Sequence, residues 1–275
     1  MDRRTSLIAL LLLVTGTALA APSASLWDRW SAHDDANRAT IDHSAWDRFL
    51  EKYVKRGDDG INRVPYGAIA GPDRAKLHEY LAAMQATPIS KYSRNEQRAY
   101  WINLYNATTV ELVIASYPVK SIKDINISPG WFSSGPWGKK LMKIEGEDVS
   151  LDDIEHRILR PIWRDPRTHY AVNCASLGCP NLQPRAFTAS FMEGMLEEAA
   201  RAYVNHPRGA RIREDGLLEA SSIYKWFVSD FGGERGVLEH LRRYAGPELG
   251  RELTGKTEII DYRYDWSLND FRPTP

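Results

Sequence analysis

The sequence predicts an α+β fold: a single domain of several helices around a small antiparallel sheet. Three observations point to it. Long segments carry apolar residues at helical spacing, Ser93–Ser116 above all. Short extended runs are bounded by Gly, Pro and Asp, among them a hairpin signal in which Ala210–Arg213 and Leu217–Ala220 flank Glu214-Asp215-Gly216. No repeat, coiled coil, low-complexity block or linker interrupts the 275 residues, so residues 21–275 read as one globular domain.

Composition sets the class. The chain is 43% apolar and 11% aromatic, with nine Trp and thirteen Tyr, enough to build a large core and to exclude disorder. Lys and Arg number 36 against 36 Asp and Glu, and this balance leaves no basic surplus for nucleic acid. Residues 1–20 have the form of a cleavable secretory signal: Arg3 and Arg4, the apolar run Leu7–Val14, then Ala18-Leu19-Ala20 in the small-x-small pattern. The run is too short to span a bilayer, so no stable membrane insertion is expected once it is removed. Losing Asp2, Arg3 and Arg4 leaves 34 basic and 35 acidic residues. The expected location is periplasmic or secreted, an oxidising setting for the two cysteines, Cys174 and Cys179.

The elements follow in order. Trp46, Phe49, Leu50 and Tyr53 recur at helical spacing, with Asp42 or Ser44 as cap. Gly57–Gly60 is a loop, and Pro72–Ala86 a helix with Leu77, Tyr80, Leu81 and Met84 on one face. Ser93-Arg94-Asn95-Glu96 has capping-box spacing, in which serine and glutamate satisfy free donors at a helix start. The helix that follows is apolar nearly all round and should be central. Tyr100, Asn103, Tyr105 and Asn106 lie on it, and buried amides need partners, either a neighbouring loop or a substrate. Ile125–Trp137 is an aromatic loop containing Trp131, Phe132 and Trp137, suited to wall a groove or to cover the core. Lys140–Ile144 reads as a strand, Gly146-Glu147-Asp148 as a turn, and Ser150–Leu159 as a helix closed by Arg160-Pro161. Phe187–Asn205 is an amphipathic helix with Phe191 inward, Ser222–Asp230 and Gly236–Tyr244 are helices, and Tyr264–Asn269 is a terminal strand.

The chemistry concentrates in His169–Gln183, HYAVNCASLGCPNLQ. Tyr170-Ala171-Val172 reads as a buried strand that ends in a turn at Asn173, which would expose Cys174 at the edge of the core. A cysteine becomes a nucleophile when its thiolate is stabilised, by a histidine or by a helix N-terminus. His169 lies five residues before Cys174, so on a regular strand the two point to opposite faces, and only a bend at Asn173 would join them. His156, on the preceding helix beside Glu155, competes as the base. Successive helical residues point about 100° apart, so Glu155 need not be what orients it. Four readings stand open: a Cys174–Cys179 disulfide, two inert buried thiols, a metal site of Cys174, Cys179, His156 and His169, and a reactive Cys174. Cys179, held extended by Pro180, can act as a resolving thiol.

The remaining histidines, His33, His43, His78, His206 and His240, fall on polar faces or loops, where a solvated role is the default. There is no glycine-rich phosphate cradle and no G-x-S-x-G elbow, so no cofactor is expected.

Several stretches together resemble the domain of unknown function 547 family, known from secreted bacterial proteins and from plants. They are Tyr100–Ala107, Asp153-Ile154-Glu155-His156 with Ile158-Leu159-Arg160, His169 with Asn173–Ser176 and Cys179-Pro180, and Tyr264–Asn269. The resemblance covers roughly residues 45–270 and brings no settled reaction. Intracellular plant members are expected to carry the same two cysteines, which argues against a purely disulfide role. A shorter second resemblance is to permuted papain-like or transglutaminase-like hydrolases, where histidine precedes cysteine. The lecithin retinol acyltransferase group has a similar Asn-Cys step.

These readings combine into an expected cysteine-dependent hydrolase or acyl/thiol transferase acting on an amide, thioester or disulfide. Cys174 is the nucleophile, His169 or His156 the base and Glu155 the orienter. Backbone N–H groups after Asn173 would form an oxyanion hole, with Tyr100, Asn103, Asn106, Asn173, Ser176 and Cys179 completing the site. The expected partner is a small molecule or peptide. The alternatives are a protein that binds a low-molecular-weight thiol such as glutathione through a mixed disulfide at Cys174, and a non-catalytic scaffold.

Overall fold

The computed structural model describes residues 22–130 and 134–271. The expected signal at 1–20, and Trp131 and Phe132 of the aromatic loop, lie outside the described residues.

Helix α1 is Ser44–Tyr53 and buries Trp46, Phe49, Leu50 and Tyr53. Its cap position is His43 rather than Asp42 or Ser44, while the Asp42 carboxylate accepts the Ser44 N–H at 2.8 Å. His43 is no surface residue: it is buried and its Nδ1 lies 2.8 Å from Tyr80 Oη. Strands β1 (Lys55–Arg56) and β2 (Asn62–Arg63) pair across the Gly57–Gly60 loop, and helix α2 spans Gly71–Ala86.

Helix α3, Arg94–Ser116, is the centre of the molecule. Every residue from Glu96 to Val110 is buried. Ser93 Oγ accepts the Glu96 N–H at 3.4 Å, but Glu96 turns its carboxylate to the Ile41 N–H at 3.1 Å, so only half of the capping box forms. Strands β3 (Met142–Ile144) and β4 (Glu147–Val149) form a hairpin whose turn is Glu145-Gly146, one residue earlier than the sequence suggests. Both turn residues have positive φ, 47° and 89°, as a two-residue hairpin turn of this kind demands.

A π-helix, Asp153–Leu159, runs directly into α4, Arg160–Trp163. Pro161 does not close the helix as expected. The change of winding leaves it in the first turn of α4, where its missing N–H is not needed, and the chain turns off only at Arg164, φ 49°. Helix α5 is Met192–Val204. It starts later than the sequence suggests, so Phe191 sits before it, 59% exposed rather than inward.

Strands β5 (Ala210–Ile212) and β6 (Leu218–Ser221) form the expected hairpin, and β7 (Asp261–Arg263) joins β6 in parallel. The sheet is therefore mixed rather than wholly antiparallel. Helix α6, preceding the Gly232-Gly233 turn, is only Ser222–Trp226. Helices α7 (Gly233–Tyr244) and α8 (Pro247–Glu252) follow. His240 on α7 is half-buried, with Nε2 2.8 Å from Tyr170 Oη, again not a solvated histidine. Tyr264–Asn269 is no strand. It lies along the cysteine loop instead: Leu177 and Gly178 donate to the carbonyls of Ser267 and Asp265, both at 2.8 Å.

The architecture is α+β, with two hydrophobic clusters. One surrounds α1, α2, α3 and the π-helix, and the other fills the space among β5, β6, α6 and α7. Helix α5 joins them, giving Met192 and Leu196 to the first and Ala199, Ala200, Tyr203 and Val204 to the second. Among the described residues no helix is long and apolar enough to cross a membrane.

Candidate active site

Both cysteines reach the seam between the two clusters, where the chain changes sides: Tyr170 packs in one, Ala171 and Val172 in the other. The expected strand at Tyr170–Val172 is absent. Pro166–Tyr170 is a 3-10 helix started by the Asp165 carboxylate, which accepts the Arg167 N–H at 2.9 Å, and the chain leaves it in a turn. A short apolar run fits a strand or a buried helical turn equally well, and packing chose the turn.

What replaces sheet hydrogen bonds is a side chain. Asn106 donates to the Ala171 carbonyl and accepts the Asn173 N–H, both at 2.8 Å. Asn103 does the same for Phe187, at 2.7 and 3.0 Å. These buried amides therefore fasten the loops either side of the cysteines, the structural of their two expected duties. Tyr100 donates to the Met84 carbonyl at 2.9 Å and lines no part of the cavity. Tyr105, also on α3, does line it and bonds Glu155 at 3.2 Å.

Asn173 shapes the turn itself. Its Oδ1 accepts the Ala175 N–H at 2.9 Å and its amide donates to the Pro180 carbonyl at 2.7 Å. Ala175 is buried with φ 56°, the left-handed region that costs a side-chain-bearing residue about 1–2 kcal/mol. The backbone is thus strained directly after Cys174.

Cys174 is half-buried, Cys179 buried, and both are free thiols. Their sulfurs lie 3.1 Å apart, and the Cys174 N–H donates to Cys179 Sγ at 3.0 Å. Around Cys174 Sγ stand two hydroxyls, Tyr264 Oη at 3.0 Å and Ser176 Oγ at 3.2 Å. Ser176 donates to Tyr264 at 2.9 Å, which leaves the phenol's own proton to point at sulfur. Hydrogen bonds from Cys179, Ser176 and Tyr264 hold the Cys174 thiol below the usual thiol range, while burial pushes Cys179 well above it. One sulfur is thereby the acidic, reachable member of the pair, and the other is protonated and enclosed.

The expected bases occupy the same cavity but bond elsewhere. His169 Nε2 is 2.8 Å from Asp230, a carboxylate that also takes Arg160 at 2.6 Å. Glu155, expected to orient His156, lies 3.8 Å from His169 Nδ1, and burial raises its carboxyl above the ordinary range. His156 is oriented by Arg160, which donates to its Nδ1 at 3.0 Å, and burial pushes its imidazole down to about 4. Neither ring nitrogen makes a hydrogen bond to Cys174, and the N–H groups of Cys174 and Ala175, candidates for an oxyanion hole, already have partners. Among the described residues no three His, Cys, Asp or Glu side chains are arranged to hold a metal ion, so the four-ligand alternative is not assembled.

The cavity is about 440 Å³, the size of a small-molecule site. Cys174, Cys179, Glu155, His156 and His169 line it beside Trp137, Trp226, Trp266, Phe227 and Tyr264. Of these partners, Tyr264 and Trp266 fall in a motif quoted from the sequence. Asp230 carries no local signal; only the fold brings it to His169.

Residues 89–204 match a family model described as protein of unknown function, DUF547. The span is narrower than 45–270, and leaves Tyr264 outside it. No curated protein and no solved structure matches the chain. Residues 89–204, the stretch that holds Glu155, His156, His169 and both cysteines, are the part of the chain that is similar to the DUF547 family.

Proposed function

We propose that this protein is a cysteine-dependent thiol transferase acting on disulfides, in the periplasm or outside the cell. The observation that carries the reading is the sulfur pair: a half-buried Cys174 held acidic by hydroxyls, 3.1 Å from a buried Cys179. The Cys174 thiolate attacks one sulfur of a substrate disulfide. The substrate S–S bond breaks and its second sulfur leaves as a thiolate that takes a proton. Cys179 then loses its proton and attacks the Cys174 sulfur, breaking the mixed disulfide and releasing the second thiol. The protein is left as a Cys174–Cys179 disulfide, and small thiols or a dithiol return it to the reduced form. Closure requires the sulfurs to approach by about 1 Å. The mixed disulfide with a low-molecular-weight thiol, glutathione-type included, is the intermediate of this cycle.

A second reading is acyl transfer on a papain-like or transglutaminase-like scaffold. What favours it is that His156, His169 and Glu155 share the cavity with Cys174. It needs a ring rotation toward sulfur and a fresh set of oxyanion donors, so thiol exchange demands less of the geometry.

Intact mass of the reduced protein after a brief exposure to a small disulfide tests the choice. Thiol exchange expects an adduct that disappears as a two-proton mass loss accumulates, and in Cys179→Ser an adduct that persists. Turnover of thioesters or amides with no adduct on disulfide challenge would overturn it in favour of acyl transfer.

A further inference from the structure

Thiol exchange, as proposed, leaves one wall of the cavity without a task. Trp266 meets Tyr264, Trp226 and Trp137 with ring centroids 4.7, 5.6 and 5.8 Å away, and Trp226 meets Tyr264 at 4.8 Å. Indole faces carry negative potential and attract cations. One already does so here, with Lys123 Nζ 5.2 Å from the Trp266 ring at the rim.

At the edge of this wall is Asp152. Its amide donates to the Trp137 carbonyl at 3.0 Å, and its carboxylate lies over Gly138, where an added Cβ would stand 3.5 Å from Oδ2. The side chain is 40% exposed. Among the described residues the only group within ion-pair distance is His156 Nε2, at 3.6 Å, and that imidazole is neutral near pH 7. Lys140, the nearby candidate, is paired with Asp153 instead. Deeper in the cavity Glu155 has Tyr105 and His169 as partners and, among the described residues, no Lys or Arg at ion-pair distance. Asp152 is thus a carboxylate without a paired permanent cation, faced by indole rings, and the Lys123 ammonium on the Trp266 ring shows that this wall takes positive charge.

We infer that the cavity selects disulfides and thiols that an amine makes net cationic, with the ammonium seated between Asp152 and the indoles of Trp137 and Trp266 and the sulfur delivered to Cys174. The inference rests on the thiol-exchange reading and adds the substrate class to it. Net anionic disulfides meet the Asp152 carboxylate and are disfavoured.

The test is a charge series: cystamine (cationic), bis(2-hydroxyethyl) disulfide (neutral) and glutathione disulfide (anionic). Each rate on the reduced protein is divided by the rate with a free cysteine derivative, which removes intrinsic differences in reactivity. A cation held against indole and carboxylate gives a normalised preference for cystamine over the neutral compound of about tenfold. In Asp152→Asn the ratio falls toward one, and the neutral compound serves as the folding control within the same sample. A neutral disulfide that reacts as fast as cystamine, or an unchanged ratio in Asp152→Asn, overturns the inference while leaving thiol exchange standing. Should no disulfide react, the thiol reading fails by itself. Binding of 1,6-diaminohexane to Cys174→Ser, read by tryptophan fluorescence against neutral 1,6-hexanediol, then decides the cage: selective quenching by the diamine supports it, and equal or no quenching overturns it.

Discussion

His169 Nε2 is bonded to Asp230 Oδ2 at 2.8 Å, and not to the sulfur with which it shares a cavity. The ring also stacks on Phe227, centroids 4.0 Å apart. A side chain held by a carboxylate and an aromatic face is a fixed wall. The acidity of Cys174 comes from elsewhere, from the neighbouring thiol and two hydroxyls.

Tyr264 and Ser176 are therefore expected to set the pH dependence of Cys174. Their hydrogen bonds favour the thiolate, so Tyr264→Phe and Ser176→Ala should move the alkylation midpoint to higher pH, with a several-fold slower iodoacetamide reaction at neutral pH. His169→Gln should leave that midpoint nearly in place. A midpoint that follows His169 and ignores Tyr264 would restore imidazole as the activating group.

Asn103 and Asn106 give a contrast between support and site. Asn103→Ala strands the buried N–H and C=O of Phe187, costing about 2–4 kcal/mol, read as a lower urea midpoint, with little change in Cys174 alkylation. Asn106→Ala frees Ala171 and Asn173 at a similar cost and should also disturb Cys174, because Asn173 precedes it. Equal alkylation in the two variants would contradict this division.

Acid should destabilise the fold through its buried histidines. Burial pushes His43 and His156 from the ordinary 6.5 down to about 4, so each is neutral in the native state and takes up a proton more readily when unfolded. Their contribution is present above about pH 6.5 and is lost as pH falls toward 4. Between pH 7 and pH 5 each should cost about 1–2 kcal/mol. Urea titrations at the two pH values test this, and His43→Gln should flatten the dependence by one histidine's share.

The proposed thiol exchange gives Cys179 a separate role from Cys174. Cys174→Ser should abolish alkylation of the native protein and adduct formation. Cys179→Ser should leave adduct formation intact and prevent its release, seen by intact mass. Rapid release of the adduct in Cys179→Ser would remove the resolving role.

By itself the sequence determined what short-range physics controls. The periodicity of residues 93–116 and the serine at their start specify α3, and the Glu214-Asp215-Gly216 turn specifies the β5–β6 hairpin, because capping, spacing and turn chemistry act within a few residues. The same locality placed Cys174 at a turn beside Asn173. Tertiary structure decided the partners. Tyr264 reaches Cys174 across 90 positions and Asp230 reaches His169 across 61, contacts that only the packing of the two clusters creates. It also decided that Tyr170–Val172 is a turn and that Pro161 does not end its helix. A buried apolar run takes whichever backbone form satisfies its N–H and C=O groups, and here Asn106, from α3, supplied those bonds in place of a neighbouring strand.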